Sequence, residues 1–94
     1  MIRKYELILE NSIEVLGQKL FRIRALTDFG SVKAGDLGGY IQSEKNLSHD
    51  GNAWVANKAQ VSGRAQVSGN AQVYGNARVS GDAEVWGSAK VHSN

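Results

Sequence analysis

The chain contains no cysteine and only two histidines, and these shortages remove whole classes of chemistry. Without Cys there is no disulfide to staple a chain of 94 residues and no thiolate to hold a metal. The shortage is neutral about compartment. An excess of one charge is missing too. The formal net charge is +2, and residues 1–50 carry seven Lys or Arg against seven Asp or Glu. No basic stripe tracks a phosphate backbone, and no acidic block imitates one. No long apolar run follows Met1-Ile2-Arg3-Lys4, so neither a signal peptide nor a membrane span is expected, and a cytoplasmic location is the default expectation. A chain this short buries a modest fraction of its surface and often depends on a staple or a partner.

What the chain has in abundance is a six-residue period. Ala stands at 53, 59, 65, 71, 77, 83 and 89, and Val at 55, 61, 67, 73, 79, 85 and 91. Gly stands at 63, 69, 75, 81 and 87. The unit reads Gly-(Asn/Asp/Arg/Ser)-Ala-x-Val-x. Self-similarity at a fixed period marks a stacked architecture and outranks local propensity. Val suits a pleated strand, Ala is small enough for a corner, and Gly or Asn tolerates the positive φ that a sharp corner demands.

Residues 1–34 have a different texture. Tyr5-Glu6-Leu7-Ile8-Leu9 is strand-like, Asn11-Ser12 reads as a turn, and Ile13-Glu14-Val15 reads as a second short strand. Leu16-Gly17-Gln18-Lys19 reads as a hairpin connection. From Leu20 to Leu26 the chain alternates, with Phe21, Ile23 and Ala25 on one face and Arg22 and Arg24 on the other. An antiparallel meander is expected here, then a loop from Ser31 to Asp36 leading into the repeats.

The repeats resemble those of hexapeptide-repeat proteins, whose fold is a left-handed parallel β-helix. Val73-Tyr74-Gly75-Asn76-Ala77-Arg78 fits that template, and the likeness runs from Asn52 to Val91. It implies three hexads per triangular coil. Extended backwards in steps of eighteen, the register expects an imperfect first coil from Leu37, with Ser43 and His49 at core positions. Leu37, Val55, Val73 and Val91 would then stack on side one, Ser43, Val61 and Val79 on side two, and His49, Val67 and Val85 on side three. The residues flanking each Val should face out. On this reading Tyr74, Arg78 and His92 are displayed on side one, and Trp54, Trp86 and Lys90 on side three. The expected architecture is all-β, with an N-terminal antiparallel cap over residues 1–36 and about three coils over residues 37–94, in one compact domain.

The whole chain resembles small bacterial and prophage proteins related to the longer YdcK-like proteins, which are named as hexapeptide transferases by fold analogy. The likeness rests on Leu20-Phe21-Arg22-Ile23-Arg24-Ala25-Leu26, Gly35-Asp36-Leu37-Gly38-Gly39-Tyr40-Ile41, Asn46-Leu47 and Gly51-Asn52-Ala53-Trp54-Val55. It carries over no catalytic residue, and fold does not transfer activity.

The fold first suggests acyl transfer, which in such enzymes uses a catalytic His in a groove between coils. Here only His49 and His92 are present, and no protruding loop interrupts the repeats. The γ-class carbonic anhydrases share the coil and hold zinc with three His. His49 and His92 lie 43 residues apart, not a multiple of eighteen, and so fall on different sides. Ser62, Ser68 and Ser80 have no fixed His beside them, so no nucleophile–base pair forms. Gly38-Gly39 lacks the helix and the Lys-Ser/Thr of a phosphate loop. No catalytic, cofactor or metal residue is therefore assigned. The aromatics remain. Trp54, Tyr74 and Trp86, with Arg78, Lys90 and His92, form the candidate interface, since Trp and Tyr bury large area while keeping a polar handle. The expected function is a non-enzymatic protein-binding module that self-associates into a homo-oligomer. Its sharpest version is a phage or prophage protein that blocks a host antiviral complex. The alternatives are a reduced acyltransferase relative and a structural element of a phage tail or filament.

Overall fold

Val at every sixth position decides the architecture. In the computed structural model, which describes residues 3–93, the valines line the inside of a parallel β-solenoid of about three turns. Its short strands are β4 (Trp54–Val55), β5 (Gln60–Val61), β6 (Gln66–Val67), β7 (Gln72–Gly75), β8 (Arg78–Val79), β9 (Glu84–Val85) and β10 (Lys90–Ser93). The register steps by eighteen: Val55 pairs with Val73 and Val73 with Val91, Val61 pairs with Val79, and Val67 with Val85. Side one is thus β4-β7-β10, side two β5-β8, and side three β6-β9. Val55, Val61, Val67 and Val73 form the packed axis with Ala53, Ala59, Ala65 and Ala71.

The corners repeat one turn. Ala65 N–H donates to the Ser62 carbonyl around Gly63, and the same closure recurs at Ala71, Ala77, Ala83 and Ala89. The corner residue sits at positive φ, +65° at Gly63, where an L side chain is strained. Asn57 occupies one such corner at +60° and uses its side chain there. Its Oδ1 accepts the N–H of Gly75, one coil further on, at 3.1 Å.

The residue before each valine belongs to that valine's own strand. Trp54, Gln72 and Lys90 therefore form one column on side one, Gln60 and Arg78 one on side two, and Gln66 and Glu84 one on side three. This moves Trp54 and Lys90 from side three to side one, beside Tyr74 and His92, and Arg78 from side one to side two. Trp86 follows β9 and stays on side three.

The first coil is twenty residues long, not eighteen. Ile41 pairs with Val61 and Leu47 with Val67. Ser43 and His49 are thus not the core positions expected, and Leu37 stays 49% exposed in an antiparallel pair with Arg24. The cause is hydrophobic. Ile41 and Leu47 are both fully buried, and two polar side chains in their place would have left holes in the stack. The extra length lies between Leu47 and Val55, where Ser48 to Asn52 swing aside.

The N-terminal meander has three strands, β1 (Tyr5–Val15), β2 (Gln18–Ala25) and β3 (Leu37–Ile41), joined to the solenoid as one sheet in the order β1-β2-β3-β5-β8. Asn11-Ser12 is not a turn. β1 passes through it as a bulge, because Ile8 and Ser12 pair with the consecutive residues Arg22 and Phe21. The hairpin turn is at Leu16-Gly17, as the sequence suggests. β3 runs so close to the next coil that no side chain fits. A Cβ on Gly38 would stand 2.5 Å from the Val55 carbonyl oxygen, and one on Gly39 at 2.5 Å from that of Ala59. No helix among the described residues is long and apolar enough to cross a membrane.

Candidate protein interface

A solenoid has two ends, and each cuts through rows of backbone hydrogen bonds. Within the stack the amides on either side of each valine donate to the coil after it. Gln60, Ser62, Gln66, Ser68 and Gln72 N–H groups go to the carbonyls of Ala77, Val79, Ala83, Val85 and Ala89. The N-terminal end of the regular coils therefore presents the matching alanine and valine carbonyls, and the backbone amides of Tyr40, Gln42 and Ser48 close it together with side chains.

Asn46, buried in the 3-10 turn Glu44–Asn46, serves both sides of the first coil. Its Nδ2 donates to Ala65 O at 2.8 Å and Gly63 O at 3.2 Å. Its Oδ1 accepts from the backbone of Gln42 and Ser43. Lys4 does the same at the next corner. Only 3% exposed, its ammonium donates to Ala53 O at 2.7 Å and Gly51 O at 3.3 Å. It also lies over the Phe29 ring. Burial lowers its pKa to about 8, with Asp50 opposing.

The titratable groups around Lys4 are committed to the same closure. The Lys4 backbone N–H donates to His49 Nδ1 at 3.0 Å, which leaves the ring proton on Nε2, facing Glu44 Oε1 at 2.8 Å. The His49 ring stacks on Tyr5, centroids 4.2 Å apart. Tyr5 O–H donates to Leu47 O at 2.6 Å, and its hydroxyl is held protonated by burial first and by Glu44 second, Arg3 opposing. Arg3 pairs with Glu44 at 3.2 Å. Chemically this cluster is a latch: each group that could move a proton already holds the cap on the coil. Arg22 contributes as well, donating to Gly38 O at 3.0 Å beneath Tyr40, whereas Arg24 pairs with Glu6 on the surface.

Of the six candidate residues, Trp54 is drawn into this closed end. It is 6% exposed, edge-on to Phe29 at 5.3 Å and to Tyr5 at 6.5 Å. A cleft of about 210 Å³ beside it is lined by Ser31, Val32, Asn52, Asn57, Gln72 and Tyr74. That is smaller than the ~300–1,000 Å³ usual for a small-molecule site. Tyr74 and His92 stack on each other on side one, centroids 5.1 Å apart. No three His, Asp or Glu gather as metal ligands among the described residues.

The C-terminal end is different. Arg78, Ser80, Glu84, Trp86 and Lys90 occupy the places of Gln60, Ser62, Gln66, Ser68 and Gln72, but no described coil follows to accept their N–H groups. β8, β9 and β10 are all outer strands. The core opens here as well. Ala83 and Ala89 are exposed where Ala53, Ala59, Ala65 and Ala71 are fully buried. Trp86 stands 68% exposed at the rim. Arg78, Trp86, Lys90 and His92 thus gather at this end; Trp54 does not.

Sequence reasoning missed Lys4 and Asn46. Nothing in Arg3-Lys4-Tyr5 marks a buried lysine. Ser43-Glu44-Lys45-Asn46 does have the turn-forming composition that could have drawn attention to Asn46. No protein-family model matches this chain, and comparison with curated proteins returns no match.

Proposed function

We propose that this chain is a non-enzymatic protein-binding module whose contact surface is the outward face of its last described coil. One observation carries this reading. Trp86 stands 68% exposed on that coil, and Arg78, Lys90 and His92 are displayed on it too. An exposed Trp with amphipathic and charged side chains on the same coil suits contact with another protein. The residues most suited to acid–base work, His49, Tyr5, Lys4 and Glu44, are bound to the cap instead. The likeness to small bacterial and prophage proteins gives the reading its sharpest form, a host-directed protein that blocks a defence complex.

A photo-crosslinking residue at Ser88, near Trp86 on the last described coil, tests this in cell lysate against the same residue at Ser31, on the cap. Protein adducts from position 88 and few from position 31 are expected. Equal adducts from both, or none from either, would overturn the reading.

A further inference from the structure

One outward row of side chains crosses the sheet β1-β2-β3-β5-β8. Ile8 pairs with Arg22, Arg22 with Tyr40, Tyr40 with Gln60, and Gln60 with Arg78. Directly paired residues share a face. This face is the outward one, because Ile23, Ile41, Val61 and Val79, each next in sequence to a member of the row, lie in the core. An open cleft of about 440 Å³ lies over the row, lined by Ile13, Arg22, Tyr40, Asn57, Lys58 and Gln60. Its size falls within the ~300–1,000 Å³ usual for a binding pocket. At Gln60 it meets a second cleft of about 320 Å³, between Val15 and Leu16 of the hairpin and Arg78 of β8. Together they make a trough with a polar floor and an apolar wall of Ile13, Val15 and Leu16, the last 99% exposed.

The floor is cationic. Among the described residues no Asp or Glu lines either cleft, and Arg22, Lys58 and Arg78 form no ion pair. Arg22 is also held in place. Its Nε donates to Gly38 O at 3.0 Å and its guanidinium lies over the Tyr40 ring, which leaves the two Nη groups as donors without a partner. A guanidinium fixed in this way loses little freedom when it takes up a ligand. Asn57 is fixed too, through its bond to the Gly75 N–H.

We infer that this trough receives an extended acidic segment of a partner protein, which deepens the protein-binding reading above and rests on it. Charge complementarity selects the occupant. Arg22 and Arg78 stand three strand spacings apart along the row, about 14 Å. In an extended segment the side chains at i and i+4 lie on one side about 13 Å apart, so two carboxylates at that spacing reach both arginines. The side chain at i+2 then falls over Tyr40 and Gln60, and the alternate side chains meet the apolar wall. Arg78 also belongs to the contact face of the last described coil, so the trough extends that face toward the hairpin. A single nucleic-acid strand fits less well. It needs stacking platforms, and Tyr40, the one aromatic in either cleft, already lies under Arg22.

Fluorescence anisotropy of a dye-labelled hexapeptide of alternating Glu and Leu tests the trough on the purified 94-residue protein. Saturable binding at low salt is expected, weakening as salt is raised. The counterpart with Gln in place of Glu should not bind. Lys58→Gln and Arg78→Gln should each weaken binding by roughly two- to fivefold, and together by about tenfold. Both side chains are exposed, so the circular dichroism spectrum should stay unchanged. Lys33→Gln removes the same charge from an exposed site outside the trough and should leave binding intact. The inference is overturned by no binding, by equal binding of the Gln peptide, or by binding indifferent to Lys58→Gln and Arg78→Gln. An equal loss with Lys33→Gln overturns it too, as does a labelled oligothymidine held more tightly through the same residues. Lysate adducts from position 88 that persist when the peptide fails overturn the trough alone and leave the binding reading standing; loss of both overturns both.

Discussion

The two ends of this solenoid receive opposite treatment from the same repeating backbone. At the N-terminal end every row of carbonyls meets a donor: the amides of Tyr40, Gln42 and Ser48, the Asn46 side chain, and the Lys4 ammonium. At the C-terminal end the equivalent row of amides meets nothing among the described residues. The contrast extends to the core, where Val61 and Val67 are 0% and 1% exposed and the valines stacked on them, Val79 and Val85, are 6% and 8%. A regular repeat has no means of stopping by itself. Irregular sequence must supply the stop, and residues 3–48 supply it at the end where the repeat begins.

The largest test of the contrast is Asn46→Leu. It removes the donors to Gly63 and Ala65 and the acceptor of Gln42 and Ser43 in one change. Each buried polar group left unpaired costs about 1–3 kcal/mol, so the loss should reach ~3 kcal/mol or more in urea unfolding. A loss under 1 kcal/mol would mean that the closure contributes little.

Lys4→Met comes next, at about 2 kcal/mol, through the orphaned carbonyls of Gly51 and Ala53. It carries a pH signature. In the folded chain the Lys4 pKa is lowered from 10.5 to about 8. Between those values the unfolded chain binds more protons than the folded one, so stability rises with pH there. Below about 8 both states are protonated and this contribution is flat. Thermal melting from pH 7.5 to 10.5 should show the rise in the native chain, and Lys4→Met should remove that component of it.

A smaller effect compares the same deletion in two coils. Val61→Ala opens a cavity in the closed part of the stack and should cost ~2 kcal/mol. Val85→Ala should cost roughly half as much, because Val85 is 8% exposed where Val61 is 0%. Equal costs would show that the outer coil is packed as well as the inner one.

The periodic part of this molecule was legible because each position has one physical job. Val fills the axis, Ala fits the corner, and Gly or Asn takes the positive φ, so the eighteen-residue step follows from the spacing. The first coil was not legible in the same way. Counting by eighteen placed Ser43 and His49 in the core, whereas burial of Ile41 and Leu47 required two extra residues. The mismatch was visible as two polar residues in an apolar column. Lys4 was illegible for another reason: a lysine near a chain start reads as solvated, and only the fold brings a row of carbonyls to it. The interface residues divided along the same line. Trp86 and His92 follow their valines and stand on the sides expected, whereas Arg78 and Lys90 precede theirs and lie one side further on than the count placed them. Trp54 faces the cap, whose path the repeat does not determine.

Hydrogen exchange at single-residue resolution tests the closed end most directly. The amides of Tyr40, Gln42 and Ser48 should be protected nearly as well as those of Gln60, Ser62, Gln66, Ser68 and Gln72. Asn46→Leu should release Gln42 and Ser43. Rapid exchange at Tyr40, Gln42 and Ser48 in the native chain would contradict the account.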